Sequence, residues 1–293
     1  DMFGRIYKEE WVSTGISKGG TTTMMYKALY PGDVDASVNY VGPLPLAQED
    51  RRMDAHILSI GDEACRKKLH NFQVEALERR DDLLPKIDSL AEAENMSFSI
   101  GSGAALEFAV LEYTFSFWQY AHDCDEVPDT TASDQEIFKS LNDIVGYDFY
   151  SDATYEYYRP AFYQFMSENG YYGFIHDHVS HLLENLDYPS NLTFAPREIE
   201  ITYDSTFMHY VNQTLRNVGD KMIHIHGEYD PWGAVGFFPE EDQDALLVVK
   251  LKGDHKTRIK DLDEGDKELV YNKLSEWLEA EVHPLGDVKA SQP

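Results

Sequence analysis

Residues 11–23 read W-V-S-T-G-I-S-K-G-G-T-T-T, a strand-like run that breaks into glycines and then becomes helical. Residues 11–14 have strand propensity, residues 15–20 form the glycine-rich break, and residues 22–29 continue in a helical pattern. A strand, a sharp turn and a helix, with G-x-S-x-G at the turn, are typical of a nucleophile elbow. The pattern predicts that Ser17 stands at the apex of the turn with its hydroxyl lifted clear of the sheet.

An elbow of this kind indicates an α/β-hydrolase fold, in which a mostly parallel sheet carries the nucleophile between a strand and a helix. We expect Gly15 and Gly19 to relieve the crowding that a Cβ causes where strand and helix pack closely. The N-terminus of the helix directs its N–H groups at the reacting atoms, so the backbone N–H of Lys18 is placed to bind an oxyanion. A glycine-rich loop without catalytic function would carry the same short motif, and residues further along the chain decide between the two.

Two polar residues near the end of the chain follow apolar, strand-like segments. Asp230 comes after residues 222–226, and His255 comes after residues 245–251. Open α/β sheets place their sites at the C-terminal ends of strands, and hydrolases of this type have the chain order Ser, Asp, His. We therefore predict a triad in which Asp230 orients His255 and His255 takes the proton of Ser17. This chemistry needs no cofactor.

Other acidic and histidine residues compete for these roles. Asp254 is an alternative acid, although it is adjacent to His255 and neighbours in sequence rarely face each other in a tight loop. His224 and His226 lie on one face of a strand, but no acidic ligand stands at metal-binding spacing from them. A further histidine group around Asp177 consists of His176, His178 and His181. A solvated helix face explains that group better than a metal site does, and no metal site is predicted.

Composition restricts the class of protein. The chain has 293 residues, of which 42% are hydrophobic, and a formal net charge of −28 from 53 acidic and 25 basic residues. Such a surface repels phosphate backbones and anionic lipid, so we expect neither a nucleic-acid partner nor binding to a membrane surface. No apolar run of the sequence is long enough to predict a membrane span. The two cysteines, Cys65 and Cys124, are able to pair, but two cysteines do not define a disulfide framework.

Sequence periodicity divides the chain into three parts. Residues 1–44 contain the elbow and a strand at 34–41, and residues 219–293 contain the acid and histidine loops and a closing helix at 265–280 whose Leu269 is expected to face inward. Residues 45–218 are mostly helical, with patterns at 62–80, at 82–94 with an interruption at Pro85, at 103–120 and at 133–144. An insertion of this kind predicts a large helical cap between two strands of the core. The unbroken apolar run at 245–251 indicates a strand that is covered on both faces.

Only ten residues precede the predicted elbow strand. An α/β-hydrolase has several strands before its elbow, and one of their loops supplies the second oxyanion donor. We therefore expect the N-terminal strands to be missing from this chain, and a covalent N-terminal segment or a companion chain to complete the sheet.

Six segments of the chain together resemble one peptidase family. They are W-V-S-T-G-I-S-K-G-G at 11–20, D-V-D-A at 33–36, Y-V-G-P-L at 40–44, L-E-Y at 111–113, F-W-Q-Y at 117–120 and D-P-W at 230–232. These segments are similar to those of the S37 serine peptidases of the PS-10 type, and D-P-W is shared with the neighbouring S28 prolyl exopeptidases. The resemblance extends over essentially the whole chain.

This resemblance implies a secreted or periplasmic α/β-hydrolase with a helical cap, which removes tri- or tetrapeptides from free N-termini, commonly after proline. It assigns the catalytic triad to Ser17, Asp230 and His255. Its substrates would be peptides with a free N-terminus, and no cofactor is implied.

Three residues are candidates for binding such a substrate. Trp232 would line a pocket for a proline ring, because an indole face suits a flat apolar ring, or would pack beneath the loop of His255. An aminopeptidase must also bind an α-ammonium group, so acidic cap residues are expected near the site. Glu107 and Glu112 in the aromatic helix are the candidates, although glutamates on a helix are more often solvated.

Two other functions stay open at this point. An esterase or lipase-like hydrolase is possible, because a fold does not by itself choose a substrate. The expected loss of the N-terminal strands also leaves room for a hydrolase scaffold with a dead site that acts as a binding protein.

Overall fold

The computed structural model of the protein describes residues 8–120 and 123–284. Its strands are β1 (Val12–Ile16), β2 (Ala36–Tyr40), β3 (Met222–Gly227) and β4 (Leu246–Lys250). Its helices are α1 (Lys18–Leu29), α2 (Arg52–Ile57), α3 (Glu63–Glu78), α4 (Arg80–Glu94), α5 (Ser102–Gln119), α6 (Asp134–Ile144), α7 (Asp152–Gln164), α8 (Thr206–Val218) and α9 (Glu264–Trp277).

The chain divides into two compact units. The sheet unit consists of the described parts of residues 1–44, 209–228 and 236–293, and the helical unit consists of the described parts of residues 45–208 and 229–235. The second segment of the helical unit is short and contains Asp230 and Trp232.

The sheet unit contains a four-stranded sheet in the order β1-β2-β3-β4. Every pairing is parallel, and Gly15 of β1 lies opposite Asn39 of β2. All six residues of β3 are buried, as expected of a parallel strand in the middle of a sheet. The predicted α/β class is therefore confirmed.

Helix α9 packs against this sheet through residues at helical spacing. Val270, Leu274 and Trp277 are buried and belong to the apolar core that also contains Ile223. The prediction that Leu269 faces inward is wrong, because Leu269 lies one residue before this stripe and its side chain is 43% exposed.

The strands at the two ends of the described sheet are less covered than the middle strands. In β4 only Val248 is buried, and Val249 is 45% exposed, so the prediction that this strand is covered on both faces is wrong. The reason is its position: among the described residues β4 pairs with β3 alone. At the other end, Val12 and Ile16 of β1 are also exposed.

The helical unit is built around α5, whose residues from Ala104 to Trp118 are nearly all buried. The side chain of Asp62 accepts from the backbone N–H of Cys65 at 2.8 Å at the start of α3, and Ser133 forms the predicted capping box with Glu136 at the start of α6. Pro85 does not interrupt α4. It lies in the second turn, so the helix loses one intrahelical hydrogen bond and continues.

A disulfide joins Cys65 of α3 to Cys124, across a sequence separation of 59 residues. Lys68 of the same helix donates to the carbonyl oxygen of Cys124 at 2.9 Å. The cross-link therefore holds the segment that follows α5 against α3.

Candidate active site

Ser17 occupies the turn between β1 and α1 in a conformation that non-glycine residues rarely adopt. Its backbone has φ 56° and ψ −123°. The N–H of Ser17 donates to the carbonyl of Tyr40 at 2.9 Å, and its carbonyl accepts from the N–H of Thr21 at 3.1 Å. These bonds hold the strained residue from the strand side and from the helix side, and strain of this kind is concentrated at functional sites.

Two glycines make this turn possible, but they are not the pair Gly15 and Gly19 that the sequence predicts. A Cβ on Gly15 would overlap the backbone carbonyl of Gly19, as expected. The prediction for Gly19 is wrong, because a Cβ there would meet nothing within 4 Å among the described residues. Gly20 is the second crowded position, since its Cβ would overlap the side-chain oxygen of Asn39.

Asn39 is a residue of this region that the sequence interpretation missed. It is fully buried in β2, opposite Gly15, and its side-chain oxygen lies close to the backbone of both Gly20 and Gly42. Its Nδ2 donates to Nδ1 of His224 at 3.0 Å. An asparagine inside a predicted strand was the available signal, because a buried amide needs a partner.

His224 and His226 are buried neutral imidazoles. Burial lowers the pKa of His224 to about 3, with a smaller contribution from His226. Burial, with a smaller contribution from His255, lowers the pKa of His226 to about 4. Residues 224 and 226 therefore stay uncharged at neutral pH.

His255 lies in the loop that follows β4. The loop is held by its own hydrogen bonds: Oδ1 of Asp254 accepts from the N–H of Lys256 at 2.8 Å, and the carbonyl of His255 accepts from the Arg258 guanidinium at 3.1 Å. A Cβ on Gly227, the last residue of β3, would overlap the backbone of Gly253. The end of β3 thus packs tightly against the loop that carries His255.

Ser17 and His255 both lie at the edge of the sheet that is formed by the C-terminal ends of its parallel strands. Ser17 follows β1, and His255 follows β4. Asp230 follows β3 in the chain but belongs to the helical unit. It is fully buried, and its Oδ1 accepts from the N–H of Trp232 at 3.2 Å. Its carbonyl accepts from the N–H of Gly233 at 3.0 Å, which closes the turn after it.

The family model for PS-10 peptidase S37 matches residues 2–284. The chain belongs to this family. The resemblance carried by the elbow, the D-P-W segment and the aromatic helix is thereby confirmed.

The chain is also similar in sequence to a curated relative. The prolyl tri/tetrapeptidyl aminopeptidase of Streptomyces mobaraensis is 33% identical over 299 residues, which cover 98% of this chain. The chain spans 62% of the length of that relative. Within the described residues, no helix of this S37 chain is long and apolar enough to cross a membrane.

The two glutamates proposed for substrate binding have different surroundings in this S37 chain. Glu107 is fully buried and forms an ion pair with Arg80 at 2.7 Å. It also accepts from the backbone N–H of Glu184 at 2.8 Å and from the side chain of Asn185 at 2.8 Å. Glu107 thus anchors the segment around residue 184.

Glu112 is buried without such a cation. Its carboxylate accepts from the hydroxyl of Ser116 at 2.9 Å and from the hydroxyl of Tyr172 at 2.6 Å. Burial raises the pKa of Glu112 to about 7, and the two hydroxyls oppose this shift only in part.

Trp232 packs within the aromatic core of the helical unit. The centroid of its ring lies 5.3 Å from that of Phe115, 5.1 Å from that of Tyr171 and 5.4 Å from that of Tyr172. Its side chain is mostly buried, so it forms part of the support for the ring of Tyr172 and hence for Glu112.

The histidines around Asp177 make contacts of a different kind. Nε2 of His178 lies 3.0 Å from Oε1 of Gln73, and the His178 ring packs at a tilt against that of His70. Burial lowers the pKa of His178 to about 4. Across residues 8–120 and 123–284, no group of three histidine, cysteine or acidic side chains is arranged to hold a metal ion.

Proposed function

We propose that this S37 chain is a serine exopeptidase that releases tri- or tetrapeptides from the free N-termini of peptides. The observation that carries the proposal is the positive φ of Ser17 at the turn between β1 and α1. A serine in that strained conformation is what a nucleophile elbow requires, and few structural roles would need it. The 33% identical relative is a prolyl tri/tetrapeptidyl aminopeptidase, which supports the same substrate class.

In the proposed mechanism, the Oγ of Ser17 attacks the scissile carbonyl while His255 takes its proton. Asp230 holds the imidazole in one tautomer and stabilises the imidazolium. The backbone N–H of Lys18, at the start of α1, donates to the oxyanion. His255 then protonates the leaving amine, and water releases the peptide from the acyl-enzyme.

We also propose a preference for proline before the scissile bond, with Trp232 supporting the pocket for the ring. Peptides in which alanine replaces that proline test this preference through kcat/KM.

A secreted location belongs to the same proposal. The disulfide between Cys65 and Cys124 supports it, because disulfides persist in oxidising compartments.

The test combines a covalent probe with substrates. A fluorophosphonate is expected to label the chain at Ser17, and Ser17→Ala and His255→Ala are expected to abolish labelling and peptide release while the circular dichroism spectrum stays unchanged. Cleavage of short acyl esters without any peptide turnover would instead identify an esterase. A folded chain that is not labelled would identify a scaffold with a dead site.

A further inference from the structure

The helical unit contains a cavity of about 280 Å³. Its walls are mainly apolar and aromatic side chains from α3, α5 and the segment 172–175, among them Leu69, Leu111, Phe115, Trp118, Tyr172 and Phe174. This volume approaches that of pockets that bind small organic molecules. An apolar body of the size of one aromatic residue would fit such a space.

A single buried carboxylate, that of Glu112, lines this cavity. Its two hydrogen-bond partners, Ser116 and Tyr172, are neutral hydroxyls, and it forms no ion pair with any residue that the structure describes. A carboxylate that is buried without a cation lowers the stability of the folded protein.

Helix α5 itself provides the comparison. Glu107 lies on the same helix and is also buried, but its charge is matched by Arg80 and its oxygens accept backbone and side-chain N–H groups. The chain therefore supplies a partner for one buried glutamate and leaves the other facing an apolar cavity. That difference distinguishes a structural carboxylate from one that is available to a ligand.

The other charged or titratable groups around the cavity do not supply the cation that Glu112 lacks. The guanidinium of Arg66 donates to the backbone carbonyls of residues 59–61, at 2.5 Å for Gly61. His178 is a neutral ring whose pKa is lowered to about 4 by burial, and it packs at a tilt against His70. Asp177 lines the cavity as a second acidic group. Burial, and to a smaller extent the charge of Glu112, raise the pKa of Tyr150, Tyr171 and Tyr172, so these tyrosines stay neutral.

We propose that this cavity binds a primary ammonium group attached to an apolar side chain, with the ammonium on Glu112 and the apolar part against the rings of Phe115, Trp118 and Tyr172. A cation is the partner that a buried carboxylate lacks, and the faces of aromatic rings also attract cations. The N-terminal residue of a peptide carries both parts of this ligand. Assigning the ammonium to a peptide N-terminus rests on the proposed function, whereas the ammonium site does not.

Direct binding measurements on Ser17→Ala protein test the site without any dependence on turnover. In calorimetric titrations at about pH 8, phenethylamine is expected to bind about 30-fold or more tightly than 2-phenylethanol, because only the amine pairs with the carboxylate. Glu112→Gln is expected to remove that difference, and the matched change Asp177→Asn is expected to retain it. Equal affinities for amine and alcohol, or a difference that is lost with Asp177→Asn but kept with Glu112→Gln, would overturn the proposal.

Two further measurements keep the test decisive if Glu112→Gln does not fold. With Glu112 intact, the affinity for phenethylamine is expected to rise from about pH 5.5 to about pH 8, as the carboxylate ionises while the amine stays charged. Tyr172→Phe removes one hydroxyl but keeps the ring, and is expected to move this rise to higher pH. A pH-independent affinity would contradict the assignment to Glu112.

Peptide ends are distinguished from other amines by competition. Phenylalanyl-glycinamide with a free N-terminus is expected to displace phenethylamine, and its N-acetylated form is expected not to. If neither form competes, the cavity takes small amines only, and the assignment to peptide N-termini is wrong while the ammonium site stands. If the free peptide binds but the wild-type chain cleaves no peptide, the proposed function fails and the binding site stands.

Discussion

At the scale of single residues, the partners of a side chain decide its chemistry more than its type does. Glu107 and Glu112 are one and a half turns apart on α5, and both are buried. Arg80 makes the first a structural ion pair, while Ser116 and Tyr172 leave the second without a cation. No pattern along α5 separates the two, because the difference comes from residues that are distant in sequence.

Glu112→Gln is expected to stabilise the protein in a pH-dependent way. Because the pKa of Glu112 is raised from its ordinary value of 4.5 to about 7, the folded state binds more protons than the unfolded state between these values. The contribution of this glutamate to stability is therefore fully present below about pH 4.5 and is lost as pH rises through about 7. The advantage of the variant should grow over that range, by an amount on the order of 3 kcal/mol, and then level off.

Urea unfolding of both proteins at several pH values between 4.5 and 8 measures this advantage. Glu92→Gln, at an exposed position of α4, is the matched control and should show no such growth. A difference between wild type and Glu112→Gln that is the same at all pH values would show that folding does not raise the pKa of Glu112.

Asp230→Asn is expected to lower kcat for peptide release by about 10⁴, as the loss of the orienting carboxylate does in serine proteases, because the asparagine favours the wrong tautomer of His255. Fluorophosphonate labelling should slow in parallel, with the melting temperature as a check on folding. Asp254→Asn is the control, since Asp254 accepts a hydrogen bond within its own loop. Activity that survives in Asp230→Asn and is lost in Asp254→Asn would reverse the assignment of the acid.

At the scale of elements, the elbow depends on close contact between β1 and α1. Gly15→Ala would push a methyl group into the carbonyl of Gly19, whereas Gly19→Ala would place one in open space. We expect the first change to destabilise the protein by about 1–3 kcal/mol or more and to lower fluorophosphonate labelling at Ser17. The second should leave both properties nearly unchanged or raise stability slightly, because alanine is the better helix former. Chemical denaturation and labelling rates of the two variants would show equal effects if this contact were unimportant.

Elements and their order were predictable from the sequence to the extent that local patterns determine them. The elbow, the buried run of α5 and the capping box at Ser133 follow from spacing and from local hydrogen bonds. The exposure of Val249 and Leu269 was not predictable, because an apolar pattern does not say how many neighbours an element has. The role of Asn39 also depends on Gly20 and Gly42, which only the folded turn brings to it.

At the scale of the whole molecule, the disulfide is expected to contribute substantially to the stability of the helical unit. Cys65→Ala combined with Cys124→Ala should lower the free energy of unfolding by about 2–4 kcal/mol, because the cross-link closes a loop of 59 residues in the unfolded chain. Urea unfolding measures the loss. Treatment of the wild type with a reductant should reproduce it, and the same treatment should leave the double variant unchanged. Identical midpoints for oxidised and reduced wild type would contradict this expectation.

The last segment of the helical unit, residues 229–235, follows strand β3 of the sheet unit in the chain. Tyr229 and Trp232 pack on Trp118 and Phe115, although more than 100 residues of chain separate them. A protein chain is synthesised from its N-terminus, so residues 45–208 leave the ribosome before residues 229–235. The second segment of the helical unit is made only after β3. The proposed acid of the triad therefore enters its buried position only after β3 has been synthesised. A nascent chain stopped before residue 229 would present an unfilled aromatic surface to chaperones.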